Sequence, residues 1–233
     1  MKLHRFFGNF NFSDKKIRVT DAEILNQLKN VLRFKAGSEI ILCDGKIKEA
    51  LCMITDLGKD FIDLEILEIN ENKSEPKKET VLYCSILKKE NFELVVQKSV
   101  EIGVKRIVPI IASHTVKLGV KTDRLEKIIK EAAEQSGRGI LPVLSGVLEF
   151  EKALNEAKIN DFNLFFDVSG EEFSEIKVPP KSGKIGIFIG PEGGWSDEEI
   201  ALAKRSGFQI ASLGKLVLRA ETAAIASIYS LLH

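Results

Sequence analysis

Cysteine and histidine are scarce in this chain, with three of each among 233 residues, and neither set clusters. Cys43, Cys52 and Cys84 are an odd number without a CxxC pair. That excludes a disulfide framework and a zinc ribbon, and it fits a reducing compartment. His4, His114 and His233 are scattered along the chain, so neither a histidine-based metal centre nor a His-centred triad is expected. No uncharged apolar run approaches the roughly 18 residues needed to cross a bilayer. The opening MKLHRFFGNFNF has no continuous apolar core and no small-residue cleavage site, so no signal peptide is expected either. G-x-S-x-G, G-x-x-x-x-G-K-[ST] and a G-x-G-x-x-G after a strand are all missing, which removes the usual fingerprints of hydrolases, P-loop enzymes and open-sheet dinucleotide binders. An excess of one charge sign is lacking too: Lys+Arg and Asp+Glu number 34 each. A polyanion could therefore be held only by a local basic patch, not by bulk charge. What is present, 44% hydrophobic and 29% charged residues with 17 Gly and 6 Pro, describes an ordinary globular protein. The expectation is a soluble cytoplasmic protein with no membrane partner and no metal.

The clearest composition break is NENKSEPKKE, residues 70–79, which contains no apolar side chain. Such a segment reads as a linker or an exposed crossing, because it buries too little surface to offset its ordering entropy. The part before it reads as strands. Residues 38–43 and 46–54 flank Asp44-Gly45, a two-residue hairpin signal, and Ile62, Leu64 and Ile66 alternate with acidic residues. Thr20 and Glu23 have the spacing of a capping box for a helix through Leu25, Leu28 and Leu32. A small closed or nearly closed β-barrel with one helix is the simplest arrangement.

After the break the grammar changes to alternating strands and helices. Strands are expected at 81–87, 107–111, 163–168, 184–189 and 209–213. Asn91 and Asp123 are candidate caps for two helices, the second with an apolar stripe through Leu125, Ile128, Ile129, Ala132 and Ala133. Ser196 and Glu199 form a capping box on a further helix that Gly207 ends. Continuous apolar strands between helices predict a mostly parallel α/β sheet covered on both faces.

Candidate chemistry gathers after two of these strands. Gly190-Pro191-Glu192-Gly193-Gly194-Trp195 offers close backbone approach and free N–H groups, although alone it also fits a tight βα loop. Leu213 to Ala223 brings Arg219, Glu221 and Thr222 to the start of the last helix, where the acid and the hydroxyl also suit a helix N-terminus. Together the loops define a cleft outside the carboxyl ends of strands, the usual ligand position in open α/β sheets. Arg138 in Glu134-Gln135-Ser136-Gly137-Arg138 fits a ligand contact or a helix C-terminus equally well. Lys88-Lys89-Glu90-Asn91-Phe92, with Lys98, fits a solvated face or a phosphate contact, as do Arg5 beside Phe6-Phe7 and Arg33 near Lys35.

At these residues the chain resembles a known family. GPEGGWSDEE, LGKLVLRAETAA, EQSGR followed by Pro142, QKSVEIGV, and the Arg5 and Asn30-Val31-Leu32-Arg33 regions are similar to motifs of the 16S ribosomal RNA uridine-N3 methyltransferases (RsmE). These are knotted SPOUT-class enzymes using S-adenosyl-L-methionine, which leaves as S-adenosyl-L-homocysteine. The resemblance implies a PUA-like RNA-binding barrel over residues 1–72 and a methyltransferase domain with a C-terminal trefoil knot over 73–233. It also implies a homodimer acting on 16S rRNA of the small ribosomal subunit. Cofactor contacts carried over are Phe166, Gly190, Pro191, Glu192, Gly194, Leu213, Gly214, Leu218, Arg219, Thr222 and Ala223. Three positions depart from the family pattern: Asn30 for His, Ala220 for Thr, and His114-Thr115 where many members have Glu-Arg.

The chemistry implied is methylation of uracil N3, whose proton must leave and whose anion spreads onto O2 and O4. A cation near those oxygens favours the anion. Arg219 and Arg138 are the candidates, with Glu221 orienting an arginine or accepting a proton. Arg5, Arg33, Lys88, Lys98 and Arg138 are the candidate RNA contacts. A ribose 2′-O methyltransferase of the same class and a non-catalytic RNA-binding or ribosome-associated protein are the rival expectations.

Overall fold

The computed structural model describes residues 3–116 and 119–233, with the backbone alone at Lys89. The chain divides into two compact units: residues 1–75 with 133–141, and residues 76–132 with 142–233.

The first unit contains β1 (Arg5–Phe7), β2 (Lys16–Val19), helix α1 (Ala22–Asn26) continued by a wider turn over Gln27–Val31, β3 (Glu39–Cys43), β4 (Lys48–Leu57) and β5 (Ile62–Glu71). These form one curled five-stranded sheet in the order β1-β3-β4-β5-β2, antiparallel except for β1 beside β3. Alternation does the work expected of it: Ile62 and Leu64 are fully buried, while Asp63 and Glu65, which alternate with them, are half-buried. Phe6, Ile24, Leu28, Ile40, Leu42 and Ile54 complete that core. Register shifts in β4–β5 at Leu51/Cys52 and Ile54/Asp56 bend the sheet, as bulges do.

Three local expectations are corrected here. The helix is capped by Asp21, whose side chain accepts from Ile24 N, and not by Thr20. A carboxylate one residue later reaches the orphan N–H groups equally well. The hairpin after β3 is wider than Asp44-Gly45 alone: Asp44 N donates to Lys48 O, and Asp44 Oδ1 accepts from Lys46 and Lys48. Ile47 takes a positive φ of 104° in that loop, and its N–H donates to Gly139 O. Residues 70–79 do contain the division between the two units, at Glu75/Pro76, but they are exposed only in part. Strand β5 runs to Glu71, Asn72 is buried, and the Glu75 side chain is 6% exposed against Arg138. Polar side chains can be buried where each finds partners, which composition alone does not reveal.

The second unit contains β6 (Glu79–Ser85), α2 (Lys89–Ile102), β7 (Arg106–Ile111), α3 (Thr122–Ser136, its last turn counted with the first unit), β8 (Val143–Leu144), β9 (Leu148–Glu149), α4 (Phe150–Ala157), β10 (Phe162–Glu172), β11 (Lys184–Ile189), α5 (Asp197–Arg205), β12 (Gln209–Ser212) and α6 (Ala220–Leu232). Its sheet is parallel throughout, in the order β12-β10-β11-β6-β7-β8, with β9 also on β7. Helix α2 begins after Lys88, not at an Asn91 cap, and Asp123 lies inside α3. The Ser196–Glu199 capping box is present in full. Aromatic pairs fill the core: Tyr83 stacks on Phe188, and Phe165 packs at a tilt on Trp195, each at 4.4 Å between ring centres. After β12, at the sheet edge, the chain returns to lay α6 against α2 and β11. That return is where the knot implied by the resemblance would form.

Candidate active site

The carboxyl ends of β11 and β12, with the middle of β10 that runs between them, open into a cleft of about 640 Å³. Its walls come from the loop after β11, the loop after β12, the middle of β10 and the connection from β6 into α2. The volume lies within the roughly 300–1,000 Å³ range of small-molecule sites.

The first glycine loop is held from three sides. Trp195 Nε1 donates to Phe166 O at 3.0 Å, tying it to β10. Gly190 is glycine because this indole lies on it: a Cβ there would come 3.0 Å from Trp195 Nε1. Glu192 Oε1 accepts from Lys88 N at 3.0 Å, which fastens the loop to the start of α2. Gly194 N donates to Pro191 O, closing a turn with Gly194 at φ +72°, and a Cβ at Gly194 would meet open space. The second loop turns on Gly214 at φ +104°, with Ser212 Oγ bonded to Gly214 O at 3.0 Å. Between them β10 leaves its register beside β12 from Phe166 to Glu171, and this excursion turns Asp167 and Val168 to the cleft. Gly170 permits it, since a Cβ would stand 2.6 Å from the Ala211 backbone.

Of the expected cofactor contacts, Phe166, Gly190, Pro191, Glu192, Gly194, Leu213, Gly214, Leu218, Arg219 and Ala223 line this one cleft. Thr222 does not; it is exposed on α6. Glu221 lies on the lining and is buried, and its Oε2 has no hydrogen-bond partner among the described residues. A buried carboxylate oxygen left so is costly unless a ligand supplies the donor. Arg219 is exposed at the N-terminal boundary of α6 and forms no ion pair with Glu221 among the described residues. Lys88 and Asn91 also line the cleft. Cys84, on β6, is no nucleophile: burial, and secondarily the Glu192 charge, push its thiol far above the ordinary value.

Arg138 belongs to the first unit and is not a lining residue. Its Nε and Nη2 donate to Glu75 Oε1 and Oε2 at 2.8 and 2.9 Å, and both side chains are at most 6% exposed. Burial raises the Glu75 pKa, but the Arg138 guanidinium and the N–H groups of Ile140 and Gly139 outweigh it, so the carboxyl sits below its usual range. Arg5 is paired with Glu49, and Lys98 with Glu101 on α2. Arg33, at φ 55°, and Lys88 are exposed, while the Lys89 side chain lies outside the described residues. Sequence reasoning passed over Asp167, Val168 and Ser212. The adjacency of β10 to β12 would have found the first two, but only topology supplies that adjacency.

Comparison with known proteins gives one consistent result. A family model described as an RNA methyltransferase domain matches residues 73–232, and one described as an RNA methyltransferase PUA domain matches residues 19–67. A curated relative from Mesomycoplasma hyopneumoniae, ribosomal RNA small subunit methyltransferase E, is 38% identical over 96% of each chain. The crystal structure of a ribosomal RNA small subunit methyltransferase E from Neisseria gonorrhoeae bound to S-adenosyl methionine superposes with a TM-score of 0.90. It is 33% identical and covers 99% of this chain and 97% of its own. A Legionella pneumophila protein in complex with the bound cofactor SAM gives a TM-score of 0.89 at 29% identity, covering 100% of this chain and 97% of its own.

Proposed function

The chain belongs to the RNA methyltransferase family that includes ribosomal RNA small subunit methyltransferase E, and from that premise we propose that it methylates N3 of a specific uridine in 16S ribosomal RNA at the expense of S-adenosyl-L-methionine. The observation that carries the reading is the cleft at the ends of β11 and β12 and the middle of β10, with two left-handed glycines and an unpartnered buried carboxylate oxygen on its walls. Phe166, Leu213 and Leu218 provide apolar surface there, and the 190–194 and 213–214 backbones let a nucleoside approach closely. S-adenosyl-L-methionine supplies, when bound, a methyl group already activated on a sulfonium, so the protein's task is positioning and charge.

Arg219 at the cleft edge faces the charge that develops on the uracil oxygens as the N3 proton leaves. Glu221 Oε2, with no arginine to orient, is the acceptor for that proton. The target base must be flipped out or already unpaired to enter. The curled N-terminal sheet with residues 133–141 is the RNA-holding unit, a reading supported by the match of residues 19–67 to an RNA methyltransferase PUA domain. Arg33 in that unit and Lys88 in the second unit, exposed and outside any ion pair among the described residues, are the best-supported phosphate contacts, with Lys98 half-exposed on α2. Arg138 serves the structure of that unit through Glu75.

The reading includes a homodimer in the cytoplasm. Leu216 and Val217 are 79% and 84% exposed at the cleft edge and Tyr229 is 59% exposed on α6, an apolar surface suited to a second copy. No described helix is long and apolar enough to cross a membrane. Calorimetry of the full chain with S-adenosyl-L-homocysteine tests the cleft assignment. One site per chain is expected, lost in Gly194→Val with folding intact; an affinity equal in both proteins would contradict it.

A further inference from the structure

The turn after β7 touches the first glycine loop through a side chain that belongs to neither loop. His114 Nδ1 stands 3.2 Å from Gly193 O and 3.0 Å from Gly194 O. Both partners are carbonyl oxygens, which can only accept, so the ring must carry its hydrogen on Nδ1. The side chain also covers Gly193: a Cβ built there would come within 3.0 Å of His114 Cβ. The turn is itself fixed. Thr115 Oγ1 accepts from Ala112 N at 2.8 Å, and Ser113 N donates to Glu199 Oε1 at 2.8 Å. The other oxygen of that buried carboxylate accepts from Ser196 N at 2.8 Å, at the start of α5. A rigid support thus holds an imidazole donor against the two most adaptable peptides of the loop.

We propose that His114 is a positioning residue for the cofactor loop, its Nδ1–H holding the Gly193 and Gly194 carbonyls so that the loop is ordered before S-adenosyl-L-methionine arrives. This inference rests on the assignment of the cleft to that cofactor. Two adjacent glycines have wide conformational freedom, and without the imidazole the ligand would have to order them at the expense of its own affinity. Loss of one shared neutral hydrogen bond corresponds to about a three- to tenfold weaker complex. Because Arg219 and Glu221 lie at the start of α6 and not in the 190–194 loop, turnover at saturating cofactor should be spared.

The test uses the full chain as wild type, His114→Ala and His114→Asn, the amide nitrogen of asparagine being able to replace Nδ1 as donor. His114→Ala should weaken S-adenosyl-L-homocysteine binding and raise KM for S-adenosyl-L-methionine by the same three- to tenfold, about the worth of that bond. Its kcat should be unchanged and its Tm lowered by no more than about 2–4 °C, the worth of one such bond in a chain of this size, and His114→Asn should restore most of the affinity. Nitrogen-15 spectra of the wild type, recorded with the imidazole neutral, should give the Nδ1–H tautomer. Binding by His114→Ala equal to wild type, an asparagine no better than alanine, or an Nε2–H tautomer would overturn the proposal. A wild type that binds no S-adenosyl-L-homocysteine would instead overturn the cofactor assignment, and the positioning role with it.

Discussion

Replacing Glu75 by alanine should unfold the N-terminal unit more readily than any surface substitution, and the size of the effect follows from its surroundings. The carboxylate accepts four hydrogen bonds, from Arg138 Nε and Nη2 and from the N–H groups of Gly139 and Ile140, at 2.8–3.1 Å. Both members of the ion pair are nearly inaccessible, at 5% and 6%. Alanine leaves a buried guanidinium without its carboxylate, which costs about 3–5 kcal/mol. At about 2–4 °C per kcal/mol for a chain of this size, Tm should fall by roughly 6–20 °C. Glu75→Gln combined with Arg138→Met should recover much of that loss, since replacing both partners removes the buried charge itself. The pH dependence has a definite sign. The folded pKa of Glu75 is lowered, so the stability it contributes is complete above the ordinary carboxylate pKa of 4.5 and is lost as pH falls through the lower folded value. Circular-dichroism melts of the full chain between pH 7 and pH 3 measure this directly. A Glu75→Ala protein melting within about 2 °C of wild type at pH 7, or a difference that does not shrink in acid, would refute the reasoning.

The other predictions concern the cleft and the RNA. Arg219→Ala should lower kcat by about 10²–10³, the range for one preorganised stabilising donor, with S-adenosyl-L-homocysteine affinity little changed and partial recovery at higher pH. Steady-state rates across pH measure it, and a defect equal at every pH would show that the arginine serves binding. Glu221→Gln should reduce kcat while leaving the fold intact, because the amide keeps the shape but cannot take a proton at Oε2; unchanged turnover would remove the residue from the chemistry. Gly214→Ala should weaken S-adenosyl-L-homocysteine binding in calorimetry, since φ +104° costs an L residue about 1–2 kcal/mol. Arg33→Gln should weaken RNA binding and reduce the log–log salt slope by about 0.7–0.9, as expected for one lost phosphate contact, without affecting cofactor affinity.

Much of the fold could be read from local patterns. Strand β11 lies over the 184–189 expected from its continuous apolar run, and the Ser196–Glu199 box caps α5 as its spacing requires. Both signals are local, so tertiary context had little to change. The failures are equally physical. Residues 70–79 look unable to bury anything, yet Asn72 and Glu75 are buried because partners distant in sequence, Gly137 and Arg138, satisfy them. No periodicity could place the last turn of α3 with the N-terminal unit, and the two-residue strands β8 and β9 are too short to form a pattern. At the site, the glycine loops and LRAET announced themselves by composition. Asp167, Val168 and Ser212 did not, because their role depends on which strands are neighbours. Arg138 and Arg219 look alike in sequence, and only burial separates a paired structural arginine from one at the cleft edge.

The central claim is that the cleft at the ends of β11 and β12, beside the middle of β10, delivers a methyl group to N3 of a uridine. The direct measurement is incubation of the full-length protein with isotopically labelled S-adenosyl-L-methionine and small ribosomal subunits lacking the modification, followed by digestion of the RNA and mass analysis of the nucleosides. The account predicts labelled 3-methyluridine at a single site, absent when Gly194→Val replaces the wild type. A label found on ribose, or RNA that remains unlabelled while the cofactor is bound, would contradict it.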